Sequence, residues 1–403
     1  MGVADSFKYN KFLSLIFFVI FFDLVLLFQE WYKNLILSKS LLRSGEAVCP
    51  PYFQNCDLFY LLDSQAPVYT HQIFIMLISI PLFLSLFFFV NSRFNLALCF
   101  LFIPVLFKFL FLFFLNYNTV LNYNYLTLII AILLIFSKDK LFSVKVYIFF
   151  MYICSAIIKI YPSYLNGNFF QAFNGGLPIL PTYFNIFYPI ATICSFIIFP
   201  ILLWHKDKHY RAFAFFMLFL FHLYTVALVG FRFPFVCIFL LIIFFTSNYE
   251  KFDLRRIVRN KVLLFILLIS TVFQIFPYFI SGNHRITGEG ERLGYYIFYT
   301  NKQCLSELII YYKDGKIKKS ENKYTNSTQR CDPYIEWAKF NQFCNTEIDR
   351  IYLNFKVSLN GSRYINVIDE NNICNLHYNF FSHNYWIYDD RYDYVSKVSK
   401  GHI

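Results

Sequence analysis

Residues 1–280 are dominated by apolar runs long enough to cross a lipid bilayer, and this constrains the fold more than any other feature. A spanning helix needs roughly 20 mostly apolar residues, because a bilayer core offers the backbone no hydrogen-bond partners. Nine segments fit, at about 11–28, 72–90, 95–115, 119–136, 145–161, 183–204, 212–229, 231–246 and 262–280. The eighth is short and reads as a tight hairpin with the seventh around Gly230. The chain is 58% hydrophobic and 15% charged, against roughly 45–50% and 25% in soluble domains, which excludes a soluble globular fold and disorder over most of its length. The expected fold is an all-α polytopic membrane protein with about nine transmembrane helices (1–280), followed by a small C-terminal extracytoplasmic α+β domain (281–403).

The net charge of +12 is unevenly spread. Residues 281–403 hold 16 basic and 14 acidic residues, against 20 and 10 in residues 1–280. The surplus sits in short loops between apolar runs, which is a topology signal and argues against nucleic-acid binding. Fourteen Lys and Arg fall in one set of loops, five of them between Lys251 and Lys261, and four fall in the other: Lys33, Lys39, Arg43 and Arg232. The N-terminus is therefore expected in the cytoplasm, and an odd number of spans places 281–403 outside a cell membrane. The first apolar run leads into Gln29-Glu30-Trp31-Tyr32. That lacks a small-residue cleavage site, so the run reads as a retained anchor.

The ten cysteines divide by position. Cys99, Cys154, Cys194 and Cys237 lie inside apolar runs and read as small hydrophobes. Cys49, Cys56, Cys304, Cys331, Cys344 and Cys374 all fall on the expected outer side. An even number confined to one side points to disulfides in an oxidising compartment. Cys49 and Cys56 are close enough to bridge locally, and the last four allow three pairings. A metal site is disfavoured, since there is no C-x-x-C pair and no His at zinc-like spacing.

In the outer domain, Leu308–Tyr312 and Ile351–Phe355 read as strands, with Asp314-Gly315 as a turn. Asp332-Pro333 is expected to start a helix through Tyr334–Phe343. Asn326-Ser327-Thr328 and Asn360-Gly361-Ser362 match the N-glycosylation acceptor pattern.

Ionisable groups inside spans are costly, so each needs a reason. Lys108 can snorkel or meet a carboxylate such as Asp23. His222, in Phe221-His222-Leu223-Tyr224, can be a neutral core histidine bonded across helices. Lys159 ends the fifth run on the side poor in positive charge. The uncharged, Gly-containing stretch 166–178 that follows suits a short interfacial or re-entrant helix capping a cavity. A lysine in an apolar cavity can act as a base near neutral pH.

Tyr152-Ile153-Cys154-Ser155-Ala156-Ile157-Ile158-Lys159, then Phe221-His222, then Val229-Gly230-Phe231, resembles the membrane region of vitamin K-dependent γ-carboxylases. The broader group is the HTTM (horizontally transferred transmembrane) domain family, distantly similar to DoxX-like proteins. Gly288-Glu289-Gly290-Glu291-Arg292-Leu293-Gly294-Tyr295 resembles the stretch after the last span in bacterial members. The likeness covers about residues 10–300. It implies Lys159 as the base toward a reduced vitamin K-like quinol and His222 near the active cavity. The departures are a shorter chain, a four-cysteine outer domain, and Tyr164 and Gly167 where Trp and Gly follow the family lysine.

Three functions follow. One is a non-catalytic or redox-assisting envelope protein that presents a disulfide-bonded outer domain to a protein partner or substrate. Another is a quinol-dependent carboxylase-like membrane enzyme with Lys159 and His222 at its centre. The last is a lipid-linked glycosyl- or acyl-transferase or a transporter. It lacks a paired acidic motif beside Asp57 and Asp63, and it lacks the internal repeats of transporters.

Overall fold

The computed structural model describes residues 11–38, 51–52, 67–110, 122–172, 177, 179–246, 249–296, 298–324, 331–341, 343–344 and 346–389. The proposed Cys49–Cys56 bridge and the 326–328 acceptor site lie outside them.

Each of the nine predicted segments carries a helix among the described residues. These are α1 (Lys11–Ser38), α2 (Pro67–Val90), α3 (Phe94–Leu110), α4 (Asn122–Phe136) and α5 (Lys140–Ile157). The one-turn helices α6 (Pro162–Leu165) and α7 (Asn168–Gln171) follow, then α8 (Phe187–Leu203), α9 (Lys208–Val229), α10 (Arg232–Thr246), the short α11 (Leu254–Arg259) and α12 (Lys261–Ile275). Three stretches are both long and apolar enough to cross a membrane: Lys140–Ile157, Lys208–Leu228 and Lys261–Phe279. Helix α5 is central, with 72% of its residues buried against 22% and 28% for the other two. The outer faces are apolar as well, with Phe83, Phe213, Phe216, Phe265 and Leu268 exposed. A soluble bundle would place charge there.

Several polar groups inside the bundle are partnered. Lys108 donates to Asp23 (2.5 Å) and Thr127 (2.6 Å), so the expected carboxylate partner is present. At one end of the bundle, Asn260 donates to Ser137 (2.7 Å) and Ser143 (2.9 Å). There Lys145 and Arg256 each meet Glu250 at 3.1 Å, and Arg256 also pairs with Asp139. These ties gather the basic loops at 138–145 and 250–261 at a single end. Helices α5 and α12 both start there and run to the opposite end, where the C-terminal domain sits.

After α12, a 3-10 turn (Phe276–Phe279) and a one-turn helix, α13 (His284–Thr287), lead into a four-stranded antiparallel sheet. Its strands are β1 (Lys302–Tyr312), β2 (Ile317–Tyr324), β3 (Ile348–Leu359) and β4 (Ile365–Glu370), in the order β2-β1-β3-β4, with helix α14 (Pro333–Asn341) between β2 and β3. Alternation sets the faces: Cys304, Leu308 and Ile310 of β1 are buried with Ile351, Leu353, Phe355 and Val357 of β3. Tyr334, Ile335, Trp337 and Phe340 of α14 close the core with Trp386 and Ile387. Asp314 and Gly315 turn the β1–β2 hairpin, where the Tyr312 amide donates to the Lys316 carbonyl at 2.9 Å. Asp332 caps α14 by accepting from the Tyr334 amide at 3.0 Å, with Pro333 in the first turn as expected.

The four C-terminal cysteines resolve into Cys304–Cys331 and Cys344–Cys374, with Cα separations of 5.5 and 5.6 Å. Cys99, Cys154, Cys194 and Cys237 are free, as expected for span residues. Asn360 departs from the acceptor-site reading. It is 4% exposed, and its side chain is consumed by internal hydrogen bonds.

Candidate functional site

The helical domain brings Lys159 and His222 to one aromatic cluster. Helix α5 ends at Ile157, and the chain turns through Ile158 and Lys159 before Pro162 opens α6. Lys159 is 1% exposed. Its Nζ donates to the Ser155 carbonyl at 2.8 Å and lies 5.1 Å from the Phe196 ring centroid. Phe196, on α8, also packs edge-on against Tyr152 (5.5 Å) and Phe221 (4.9 Å). His222, on α9, is 1% exposed and shares a 2.5 Å hydrogen bond between Nε2 and the Tyr152 hydroxyl. Its Nδ1 has no partner among the described residues. One phenylalanine ring thus separates the amine from the tyrosine–imidazole pair, and α5, α8 and α9 each contribute. Within the 166–178 stretch, the described residues carry the short helix α7.

The C-terminal domain is docked directly over this turn. The Tyr161 hydroxyl, two residues from Lys159, donates to the Tyr299 carbonyl at 2.5 Å. Asn360, at the end of β3, donates from Nδ2 to the Tyr161 hydroxyl and the Ser163 hydroxyl, both at 3.0 Å. The Arg285 guanidinium lies 4.4 Å from the Tyr161 ring centroid.

A second polar cluster lies in the segment between α12 and β1. Gly288 and Gly290 both hold left-handed φ values, 72° and 76°. A side chain at Gly290 would meet Phe276 at 3.0 Å. The two reversals bury Glu289 and Glu291. Glu289 accepts from His383 Nδ1 (2.7 Å), the Asn384 amide (3.0 Å) and Asn384 Nδ2 (2.8 Å). Glu291 bonds His284 Nδ1 (2.8 Å) and lies 3.9 Å from Lys302 Nζ. Burial alone would push the Glu291 carboxyl up, but Lys302 and His284 outweigh it and hold it below the usual carboxylate range.

Sequence reasoning picked out Lys159 and His222 but gave no role to His284, Arg285, Glu289, Glu291, Lys302 or His383. The available signal was two glutamates alternating with glycines just past the last apolar run, beside a His-Arg pair. Among the described residues, no group of three or more His, Cys, Asp and Glu side chains is placed to hold a metal ion. The chain matches no protein-family model, no curated protein and no solved structure.

Proposed function

We propose that this chain is a multi-pass membrane protein of the HTTM, γ-carboxylase-like type, with an envelope role. Its N-terminus lies in the cytoplasm, all nine apolar helices cross the cell membrane, and residues 281–403 form an outer domain presented to an extracytoplasmic protein partner. The supporting observation is the division of cysteine states: among the described residues, both disulfides lie in the C-terminal domain and the free cysteines lie on apolar helices. Cytosolic thiols are kept reduced, so two bridges fit a domain outside. The test is labelling of intact cells with a membrane-impermeant maleimide. Labelling of Cys304, Cys331, Cys344 and Cys374 that appears only after reduction supports the orientation. Labelling that also requires membrane permeabilisation refutes it.

A second reading rests on Lys159. A buried amine held by a carbonyl and an aromatic face is a costly arrangement to keep without a use. The rings of Phe196, Tyr152 and Phe221 give that amine an apolar surrounding. A reduced quinol supplies electrons to O₂, which yields the quinone epoxide and water and drives proton removal from a substrate carbon so that CO₂ can add. Lys159 is the residue that accepts the quinol proton, and His222 with Tyr152 orients that side of the cluster. Membranes supplied with a reduced naphthoquinone, O₂ and CO₂ are expected to form epoxide with the wild type and not with Lys159→Ala. Equal epoxide from both, at matched folded protein, removes Lys159 from the chemistry. No epoxide from either leaves the presentation role.

A further inference from the structure

Beside the outer end of α12, a cavity of about 370 Å³ is lined by the 277–285 segment, including Tyr278, His284 and Arg285. The carboxylates around it are committed. Glu291 holds His284 and Lys302, Glu289 holds His383 and Asn384, Asp332 holds Arg292 at 2.8 Å, and Asp389 accepts from the Asn283 amide. Arg285 has no ion pair among the described residues, and its Nε is buried without a hydrogen-bond partner. His284 is 5% exposed, and its Nε2 is likewise buried and unpartnered. Buried polar groups without partners are uncommon because each loses its hydration uncompensated. Here two adjacent residues on one cavity wall each keep such a nitrogen, while no acidic side chain lines the cavity.

We propose that this cavity binds a phosphate group between the Arg285 guanidinium and Nε2 of His284. A guanidinium fork matches two phosphate oxygens, and stacking on Tyr161 fixes its plane. Glu291 accepts from Nδ1 of His284, so Nε2 is the ring atom that meets the ligand, accepting from a P–OH group when the ring is neutral or donating to a phosphate oxygen when the ring carries both protons. The edge-on ring of Tyr278, 4.7 Å from His284 and half exposed, forms the wall beside it. Exposed Phe279 adjoins the site, giving an apolar flank for an acyl chain. A lipid source for the phosphate rests on the membrane reading above, whereas a free phosphate source does not.

The test is calorimetric titration of the full chain in detergent with three probes: inorganic phosphate, dihexanoyl phosphatidic acid, and phosphate-free dihexanoylglycerol. Both phosphate probes binding alike assigns the site to free phosphate, and phosphatidic acid alone binding assigns it to a lipid head group. Either supports the proposal if Arg285→Gln weakens binding by roughly ten- to a hundredfold, as loss of charge-assisted hydrogen bonds requires, with His284→Gln also weaker. Should Arg285→Gln fail to fold, Arg285→Lys carries the test, since it keeps the charge and loses the fork. No binding of either phosphate probe overturns the proposal. So does binding unchanged in the variants, or dihexanoylglycerol binding as tightly as phosphatidic acid.

Discussion

Asn360 joins the outer sheet to the turn that carries Lys159, and its replacement tests how firmly the two domains are coupled. Its Nδ2 makes two hydrogen bonds to Tyr161 and Ser163, and its Oδ1 accepts from the Asn301 amide at 2.8 Å. Three bonds at about 1 kcal/mol each give roughly 3 kcal/mol for removing the side chain. The backbone adds a second effect. Asn360 holds φ 51°, where an alanine costs about 1–2 kcal/mol and a glycine does not, although glycine gives back about 0.5–1 kcal/mol through chain entropy. Asn360→Gly should therefore weaken the junction by roughly 3.5–4 kcal/mol, and Asn360→Ala by roughly 4–5 kcal/mol. Hydrogen exchange of the Asn301–Lys302 segment in the full chain reads this directly. Opening should become about two to three orders of magnitude more frequent for the glycine variant, and more frequent still for alanine. Exchange within threefold of wild type for both would refute a hydrogen-bonded dock at this residue. The reverse order, with glycine worse than alanine, would refute the left-handed contribution.

Other outcomes follow from the same contacts. Glu336 is buried against the sheet, and burial raises its carboxyl pKa. A raised folded pKa gives stability that is full below the unfolded value and falls as pH rises toward the folded one. Glu336→Gln should flatten the decline above pH about 4.5 and stabilise the outer domain at neutral pH, as measured by thermal unfolding against pH. Lys108→Met alone should cost about 3–5 kcal/mol, because it leaves Asp23 buried and unpaired, while Asp23→Leu/Lys108→Met should recover most of that. Size-exclusion profiles of heated detergent extracts distinguish the two, and a double variant no better than the single one sinks the pairing argument. Expression in a glycosylating host should leave Asn360 unmodified once the domain has folded, since its amide nitrogen is buried. A glycopeptide containing Asn360 from folded protein contradicts the dock.

The helical half was legible because bilayer-length apolar runs leave the backbone few alternatives. Each predicted run carries a helix, with ends displaced: α1 continues to Ser38, and α5 starts at Lys140 and stops at Ile157. Local chemistry likewise marked the Asp314-Gly315 turn and the Asp332-Pro333 helix start. The long-range partners were not legible. Three disulfide pairings were equal in sequence, and only the sheet decides that Cys304 of β1 faces Cys331 rather than Cys374. Asn360 matched a surface acceptor motif, yet its three partners lie 59 to 199 residues away. Lys159 and His222 stood out because charge is rare in apolar runs. His284 and Glu291 did not, because charge is ordinary outside them.

The loop holding Glu289 also imposes an order on biosynthesis. Its carboxylate is satisfied by His383 and Asn384, about 95 residues downstream. When the last apolar helix has been made, that carboxylate has none of these partners, and it must wait in water until almost the whole outer domain has been synthesised. The Glu289 contacts therefore form after the Asn360 dock has been synthesised. A nascent chain broken off before residue 383 retains its helices and most of the sheet but cannot seal the seam between them. Limited proteolysis is therefore expected to cut the 288–291 loop faster in a chain shortened before residue 383 than in the full chain.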